Sequence, residues 1–194
     1  MAQLDADYWN NRYHKQETGW NIGCASDPIR HWLDAQENKD LNILIPGAGL
    51  AYEAEYAWQQ GFHHVVVLDY AEKALNEFKK RNPEFPEKQI VKSNYFEHQN
   101  KYDVIIEQTF FCALDPKLRD EYVRHTSTLL KNGGKLIGLL FDFPLDQQGP
   151  PYGGSREHYE ELFGKYFKIE HLEICPRSIK PRSGKEFWIE FTKE

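Results

Sequence analysis

Cysteine is scarce in this sequence, and the few cysteines present are not arranged in pairs. The 194 residues include only three, Cys24, Cys112 and Cys175, and no Cys-x-x-Cys motif occurs. An odd number of widely spaced cysteines is neither a disulfide framework nor a zinc site. The eight histidines also lack the spacing of metal ligands. We therefore expect a protein of a reducing compartment, the cytoplasm, with no disulfide and no metal centre.

Dense basic runs are missing as well. The formal net charge is −6 at pH 7, and the nearest approach to a basic cluster is the Lys-Lys-Arg of residues 79–81. That cluster closes a predicted helix, where positive charge complements the helix dipole. Because nucleic-acid binding depends largely on neutralising phosphates, we do not expect a nucleic-acid partner.

Long apolar segments are absent too. The longest, around residues 136–143, is too short to cross a bilayer, and the first eleven residues are polar and acidic, unlike a secretory signal. Hydrophobic residues make up 40% and charged residues 28%, the balance of a soluble globular protein. The length fits one domain. We expect a single domain over residues 1–194, monomeric and away from membranes.

Short apolar segments alternate with amphipathic ones from residue 41 onward. The pattern predicts strands at 41–45, 65–69, 89–92, 104–107 and 135–141, with helices at 50–60, 72–81 and 117–131. Parallel strands need crossover connections, so this alternation predicts a doubly wound α/β fold with a mostly parallel sheet.

The two ends of the chain depart from this rhythm. After a Pro/Gly-rich loop at 144–154, a helix at 155–164 is followed by closing strands near 167–175 and 186–191, close enough in sequence to pair antiparallel. Residues 1–25 are aromatic-rich, and we expect them to be irregular. A helix then begins at Asp27-Pro28, an N-cap followed by proline at the first helical position.

A glycine turn follows the first predicted strand. Pro46-Gly47-Ala48-Gly49 leads directly into a helix, and Asp69 ends the next strand about 20 residues later. Glycines allow close approach of a ligand to backbone, and the helix N-terminus offers free N–H groups. An acid at the Asp69 position hydrogen-bonds ribose hydroxyls in doubly wound folds. These features predict a nucleoside site. The alternative is that the glycine turn only reverses the direction of the chain.

The residues after Gly49 narrow the identity of the nucleoside. The dinucleotide fingerprint requires a third glycine or alanine where this chain has Tyr52, and no mononucleotide phosphate loop occurs. S-adenosylmethionine, a nucleoside without phosphate, is compatible with both absences. Asn94, Tyr95 and Phe96 come after the third strand, where adenine would lie. They form either an adenine contact or a turn with two core aromatics.

Five elements resemble a known family over nearly the whole chain. They are the segment from Trp9 through Gly-Trp-Asn-Ile-Gly at 19–23, the turn at 45–49, Phe-Phe-Cys-Ala-Leu-Asp-Pro at 110–116, Gly-Pro-Pro-Tyr at 149–152 and Pro-Arg-Ser-Gly-Lys-Glu at 181–186. On these motifs the chain resembles the thiopurine S-methyltransferase superfamily, most of all its halide and thiol methyltransferases. The resemblance implies a Rossmann-like, seven-stranded class I fold with an antiparallel terminal strand, and S-adenosyl-L-methionine as cofactor.

The resemblance also implies a role for individual residues. Residues 1–25 would form a lid, with Trp9, Tyr13 and Trp20 over the cofactor. The methionine part would lie against Gly47 and Gly49, the ribose at Asp69 and the adenine at Asn94 and Tyr95. Gln108 would lie beside the cofactor, where other members carry arginine or tyrosine. Tyr152 matches an aromatic position close to the transferred methyl group and is the candidate catalytic residue.

Methyl transfer from a sulfonium to a thiolate or halide is an in-line displacement that needs no proton removed. The protein's contribution is positioning and exclusion of water, for which aromatic walls are suited because their faces attract the cation. We assign Trp20, Phe110, Phe111 and Tyr152 to the substrate side, although core packing is the favoured alternative for Phe111.

Two further residues invite catalytic roles. Asp142 could accept a proton, or be a solvated loop acid. Cys112 has no adjacent base and is better explained by packing. The expected activity is methylation of a small thiol or halide ion. The alternatives are methylation of an aromatic heterocyclic thiol, and a non-catalytic nucleoside-binding domain.

Overall fold

A seven-stranded sheet forms the centre of the protein. The computed structural model describes residues 4–145 and 149–194. The strands are β1 Ile43–Pro46, β2 Val65–Asp69, β3 Ile90–Lys92, β4 Tyr102–Gln108, β5 Leu130–Phe141, β6 Phe167–Ile174 and β7 Glu186–Lys193. Their order across the sheet is β3-β2-β1-β4-β5-β7-β6. Strands β1 to β5 are parallel, while β7 pairs antiparallel with both β5 and β6. The predicted doubly wound, mostly parallel sheet with an antiparallel terminal strand is confirmed.

Helices cover both faces of this sheet. They are α1 Ala6–His14, α2 Asp27–Asp34, α3 Tyr52–Gln59, α4 Glu72–Arg81, α5 Arg119–Leu129 and α6 Arg156–Phe163. Consecutive residues of β1 belong to different hydrophobic clusters, Leu44 to one and both Ile43 and Ile45 to the other. Alternate side chains of a strand face opposite ways, so each face carries its own core. None of the helices in the described ranges is both long and apolar enough to span a membrane.

The N-terminal segment departs from the sequence prediction. Residues 1–25 were expected to be irregular, but Ala6–His14 forms α1, begun by Asp5, whose carboxylate accepts the backbone N–H of Tyr8 at 2.9 Å. No residue of α1 is fully buried. The aromatic side chains of the helix therefore do not produce the buried stripe from which helices are usually recognised.

Two contacts tie α1 to the domain. The hydroxyl of Tyr70 donates to the carbonyl oxygen of Leu4 at 2.7 Å, and the side-chain oxygen of Asn10 accepts the backbone N–H of Lys73 at 3.0 Å. Both partners lie just after β2, which ends at Asp69. These contacts hold α1 over the carboxyl edge of the sheet, where ligands bind in doubly wound folds.

Candidate active site

A cavity of about 830 Å³ lies at the carboxyl ends of β1, β2 and β4, beneath α1. The residues predicted from the sequence that line it are Trp9, Tyr13, Trp20, Gly47, Gly49, Asp69, Asn94, Tyr95, Gln108, Phe110 and Tyr152. The fold thus brings together residues from segments more than 140 positions apart. The volume is in the range of small-molecule and cofactor sites.

The glycine turn forms the floor of the cavity. Gly47 and Gly49 have φ values of +55° and +54°, a backbone conformation that favours glycine. A Cβ atom at Gly47 would lie 2.1 Å from a ring carbon of Phe110, and one at Gly49 would lie 2.5 Å from the hydroxyl of Tyr13. Both glycines are therefore required by conformation and by the closeness of the aromatic walls.

Asp69 braces this turn from the end of β2. Its side chain is 6% exposed, and its two carboxylate oxygens accept the backbone N–H groups of Gly49 at 2.8 Å and Ala71 at 2.7 Å. Burial raises the pKa of the Asp69 carboxyl, and these backbone donors oppose the shift. Each oxygen of a carboxylate has a further lone pair. Asp69 can therefore hold the turn and still accept from ribose hydroxyls.

Residues 94–96 were predicted to form either an adenine contact or a turn with two core aromatics, and the structure has features of both. The side-chain oxygen of Asn94 accepts the backbone N–H of Phe96 at 3.1 Å, as a turn former does. Tyr95 is buried, with its hydroxyl 2.6 Å from the Thr126 hydroxyl and its ring edge-on to Phe110 at 5.2 Å. Both Asn94 and Tyr95 nevertheless line the cavity. The turn and core roles are present, and a ligand contact is compatible with them.

Three aromatic rings from the N-terminal segment cover the glycine turn. Trp9 and Tyr13 each meet Trp20 edge to face, with ring centroids 5.3 Å and 5.7 Å apart. The guanidinium of Arg12 lies 5.4 Å from the centre of the Trp20 ring. Burial raises the pKa of the Tyr13 phenol, and the nearby Asp69 carboxylate adds to the shift. Tyr13 therefore offers a neutral hydroxyl at this wall.

Glu107, for which the sequence predicted no role, shapes the opposite wall. One of its oxygens accepts the backbone N–H groups of Phe110 at 2.8 Å and Phe111 at 2.9 Å, and the other accepts the Tyr122 hydroxyl at 2.6 Å. Burial raises the pKa of Glu107 to about 7. Thr109, in the turn so held, has a φ of +57°. An acid inside an apolar strand was the only sequence signal for this role.

In the turn after β4, some side chains line the cavity and others pack in the core. Gln108 lines the cavity, and its buried side-chain oxygen accepts no hydrogen bond within the described ranges. Phe111 does not line it, because its ring packs against Tyr122 and Phe163 with centroids 5.1 Å and 5.6 Å away. The assignment of Phe111 to the substrate side is wrong. Its role is core packing, beneath the guanidinium of Arg119 at 4.5 Å.

Of the two remaining candidates for a chemical role, Cys112 lines the cavity and Asp142 does not. Cys112 lines the cavity, and burial raises the pKa of its thiol, which therefore stays protonated and unreactive. Its carbonyl oxygen accepts the backbone N–H of Tyr152 at 2.7 Å, which joins the Gly-Pro-Pro-Tyr element to the turn after β4. Asp142 is not among the residues that line the cavity, so it does not face a substrate there.

Arg182 is a second residue of the cavity for which the sequence predicted no role. It lines the cavity, donates to the carbonyl oxygen of Trp20 at 2.8 Å and pairs with the buried Glu186 carboxylate at 3.3 Å. Its guanidinium carbon lies 5.5 Å from the centre of the Phe141 ring. The loop between β6 and β7 thereby adds a fixed positive charge to a wall that is otherwise largely aromatic.

Comparison with known sequences identifies proteins similar to this chain. A sequence profile described as thiopurine S-methyltransferase matches residues 4–188. A probable thiol methyltransferase 2 of Arabidopsis thaliana is 29% identical, with 96% of this chain and 84% of the relative covered. Thiocyanate methyltransferase 1 of the same plant is 30% identical, with 92% and 81% covered.

Solved structures resemble the fold. The 1,6-didemethyltoxoflavin-N1-methyltransferase of Burkholderia thailandensis, crystallised with its substrate and S-adenosylhomocysteine, gives a TM-score of 0.80 at 19% identity, covering 98% of this chain and 87% of that one. The magnesium protoporphyrin IX methyltransferase of Synechocystis, crystallised with S-adenosylmethionine, gives 0.77 at 17% identity with both chains fully covered. At these identities the likeness concerns the fold alone.

Proposed function

The chain belongs to the thiopurine S-methyltransferase family and is an S-adenosylmethionine-dependent methyltransferase, and on that premise we propose that its acceptor is a small thiol or a halide ion. The observation that carries the proposal is Arg182, whose guanidinium lines the cavity, donates to the backbone carbonyl oxygen of Trp20 and lies near the ring of Phe141. An aromatic wall that carries the guanidinium of Arg182 suits a small, polarisable anion, and the related plant enzymes are named for thiol and thiocyanate.

The cavity residues fit the cofactor. The close-packed glycines at 47 and 49 leave no side chain between backbone and ligand, and Asp69 keeps lone pairs for ribose hydroxyls. We propose that Asn94, Tyr95 and Gln108 contact the adenosine, and that Trp9, Tyr13 and Trp20 close over the ligand. When bound, the cofactor supplies an electrophilic methyl group on a cationic sulfur.

The protein's own part in the reaction is to favour the anionic acceptor and to keep water out. A positive charge favours the deprotonated form of a nearby thiol, so Arg182 promotes the thiolate without a general base. The aromatic rings exclude water and attract the sulfonium by cation–π contact, with Tyr152 proposed as the ring closest to the transferred methyl. Substrate-side roles are proposed for Trp20 and Phe110 on the same grounds.

The acceptor is tested directly with the purified protein. It is incubated with S-adenosylmethionine labelled in the methyl group and with iodide, bisulfide, thiocyanate, thiophenol or a heterocyclic thiol in separate reactions. Labelled volatile product from the small anions supports the proposal. Turnover of the heterocyclic thiol alone assigns a thiopurine-type acceptor instead, and cofactor binding without any turnover indicates a non-catalytic domain.

We also propose that the enzyme is monomeric, forms one domain over residues 1–194 and works in the cytoplasm. The three unpaired cysteines support a reducing compartment. Light scattering at several protein concentrations tests the oligomeric state, and a mass above that of one chain contradicts it.

A further inference from the structure

Glu53 is a buried carboxylate for which the roles described so far give no explanation. It stands in the first turn of α3, where a negative charge complements the helix dipole and is usually solvated. Here the residue is only 7% exposed. One carboxylate oxygen, Oε1, accepts the backbone N–H of Ser26 at 3.0 Å. Glu53 also lines the cavity, as Gly49 and Asp69 do.

The charge of Glu53 lacks a direct partner within residues 4–145 and 149–194. Its helix neighbour Glu55 pairs with Arg81 on the outside of the domain, and the guanidinium of Arg182 is engaged by Glu186 at 3.3 Å. Oε2 accepts no hydrogen bond from another described residue. Burial raises the pKa of the Glu53 carboxyl, and the backbone N–H groups of Ser26 and of Glu53 itself, with the more distant Arg182, oppose this shift. A buried carboxylate in this position is stabilised by a cation that enters the cavity.

We propose that Glu53 binds the α-ammonium group at the amino-acid end of the cofactor and so distinguishes the cofactor from adenosine derivatives without that group. A primary ammonium presents three N–H donors, and a carboxylate oxygen is their strongest protein acceptor. The Ser26 N–H fixes Oε1 and leaves Oε2 for the ligand. The inference rests on the S-adenosylmethionine dependence stated above.

The competing explanation is that Glu53 only holds the chain at Ser26, before α2. The two explanations differ in what the carboxylate charge does. A structural role affects every ligand of the cavity alike, whereas an ammonium contact affects only ligands that carry the ammonium group. Ligand pairs that differ in this group therefore separate them.

The test measures the affinities of the full chain by isothermal titration calorimetry. The ligands are S-adenosylhomocysteine and 5′-methylthioadenosine, which lacks the amino-acid end. Glu53→Gln retains an oxygen acceptor for the Ser26 N–H but removes the charge. We expect it to weaken S-adenosylhomocysteine about 10- to 100-fold, the range of a hydrogen bond to a charged group, and to leave methylthioadenosine within about threefold. Glu55→Gln, on the outer face of the same helix, serves as the control and should change neither affinity.

Other outcomes overturn the proposal in distinguishable ways. Equal weakening of both ligands by Glu53→Gln, or no weakening of either, contradicts the ammonium contact while the cofactor assignment stands. Failure of the unmodified protein to bind either ligand contradicts the proposed function as well. Should Glu53→Gln unfold, the unmodified protein alone gives the answer, because a preference below about threefold for S-adenosylhomocysteine over the analogue with hydrogen in place of its α-amino group refutes the contact.

Discussion

Replacing Glu107 with glutamine will make the free energy of unfolding less dependent on pH between about pH 4.5 and 7. Burial raises the pKa of Glu107 from 4.5 to about 7, so the folded chain holds this proton more tightly than the unfolded chain does. The resulting stabilisation is complete below pH 4.5 and is lost as the pH rises through the folded-state pKa. A pKa difference of this size, at about 1.4 kcal/mol per pH unit, corresponds to about 3 kcal/mol.

The size of this effect depends on the position of the side chain. Glu107 is 1% exposed, so solvent does not screen its charge, and its oxygens are held by Phe110, Phe111 and Tyr122. Glutamine has the same shape and retains one oxygen acceptor for the two backbone N–H groups, but it does not ionise. The variant should therefore keep the fold and lose only this part of the pH dependence.

Urea unfolding at pH 4.5, 5.5, 6.5 and 7.5 measures the effect. The difference in unfolding free energy between Glu107→Gln and the unmodified chain should move by about 3 kcal/mol in favour of the variant across this range. Other buried carboxyls with raised pKa, Asp69 and Glu53, contribute to both chains and cancel. Glu84→Gln, at an exposed position, is the control. A difference that stays constant within about 1 kcal/mol refutes the ionisation of Glu107 as described.

Three further changes test the cavity. Gly47→Ala should destabilise the fold by more than about 2 kcal/mol in thermal unfolding, because it combines a positive φ with a clash on Phe110. The control is Gly61→Ala, which has a φ of +89° and open space around it and therefore measures the conformational cost alone. Equal losses of stability in the two variants would show that the clash contributes nothing. Asp69→Asn should weaken S-adenosylhomocysteine about 10- to 100-fold in calorimetry, since a charged acceptor for ribose is lost, and an unchanged affinity would refute the ribose assignment. Tyr152→Ala should lower the turnover number more than the cofactor affinity, because it removes the ring proposed to lie closest to the transferred methyl; both are measured on the same sample by methyl transfer and calorimetry, and equal activity would remove Tyr152 from the mechanism.

The sequence was sufficient for features that depend on neighbouring residues. The limits of α4 and β2 are as predicted, because a basic last turn and a β-branched run are local signals. The glycine turn and Asp69 were located because each lies at the end of a strand, and parallel strands bring such positions to one edge of the sheet.

Features that depend on tertiary contacts could not be predicted from the sequence. Phe110 and Phe111 are adjacent aromatics in a short turn, where no periodicity tells which one faces a cavity. Arg182 lies in the loop between β6 and β7, and the pairing of β7 with both β5 and β6 places that loop at the cavity wall. Helix α1 was missed because its aromatic residues border the cavity and are not buried in a core.

The attachment of the N-terminal segment uses main-chain atoms at both of its ends. Tyr70 donates to the carbonyl oxygen of Leu4, and Arg182 donates to the carbonyl oxygen of Trp20. A carbonyl oxygen is present whatever side chain the residue carries. The aromatic surface between these points can therefore change by substitution without loss of either anchor.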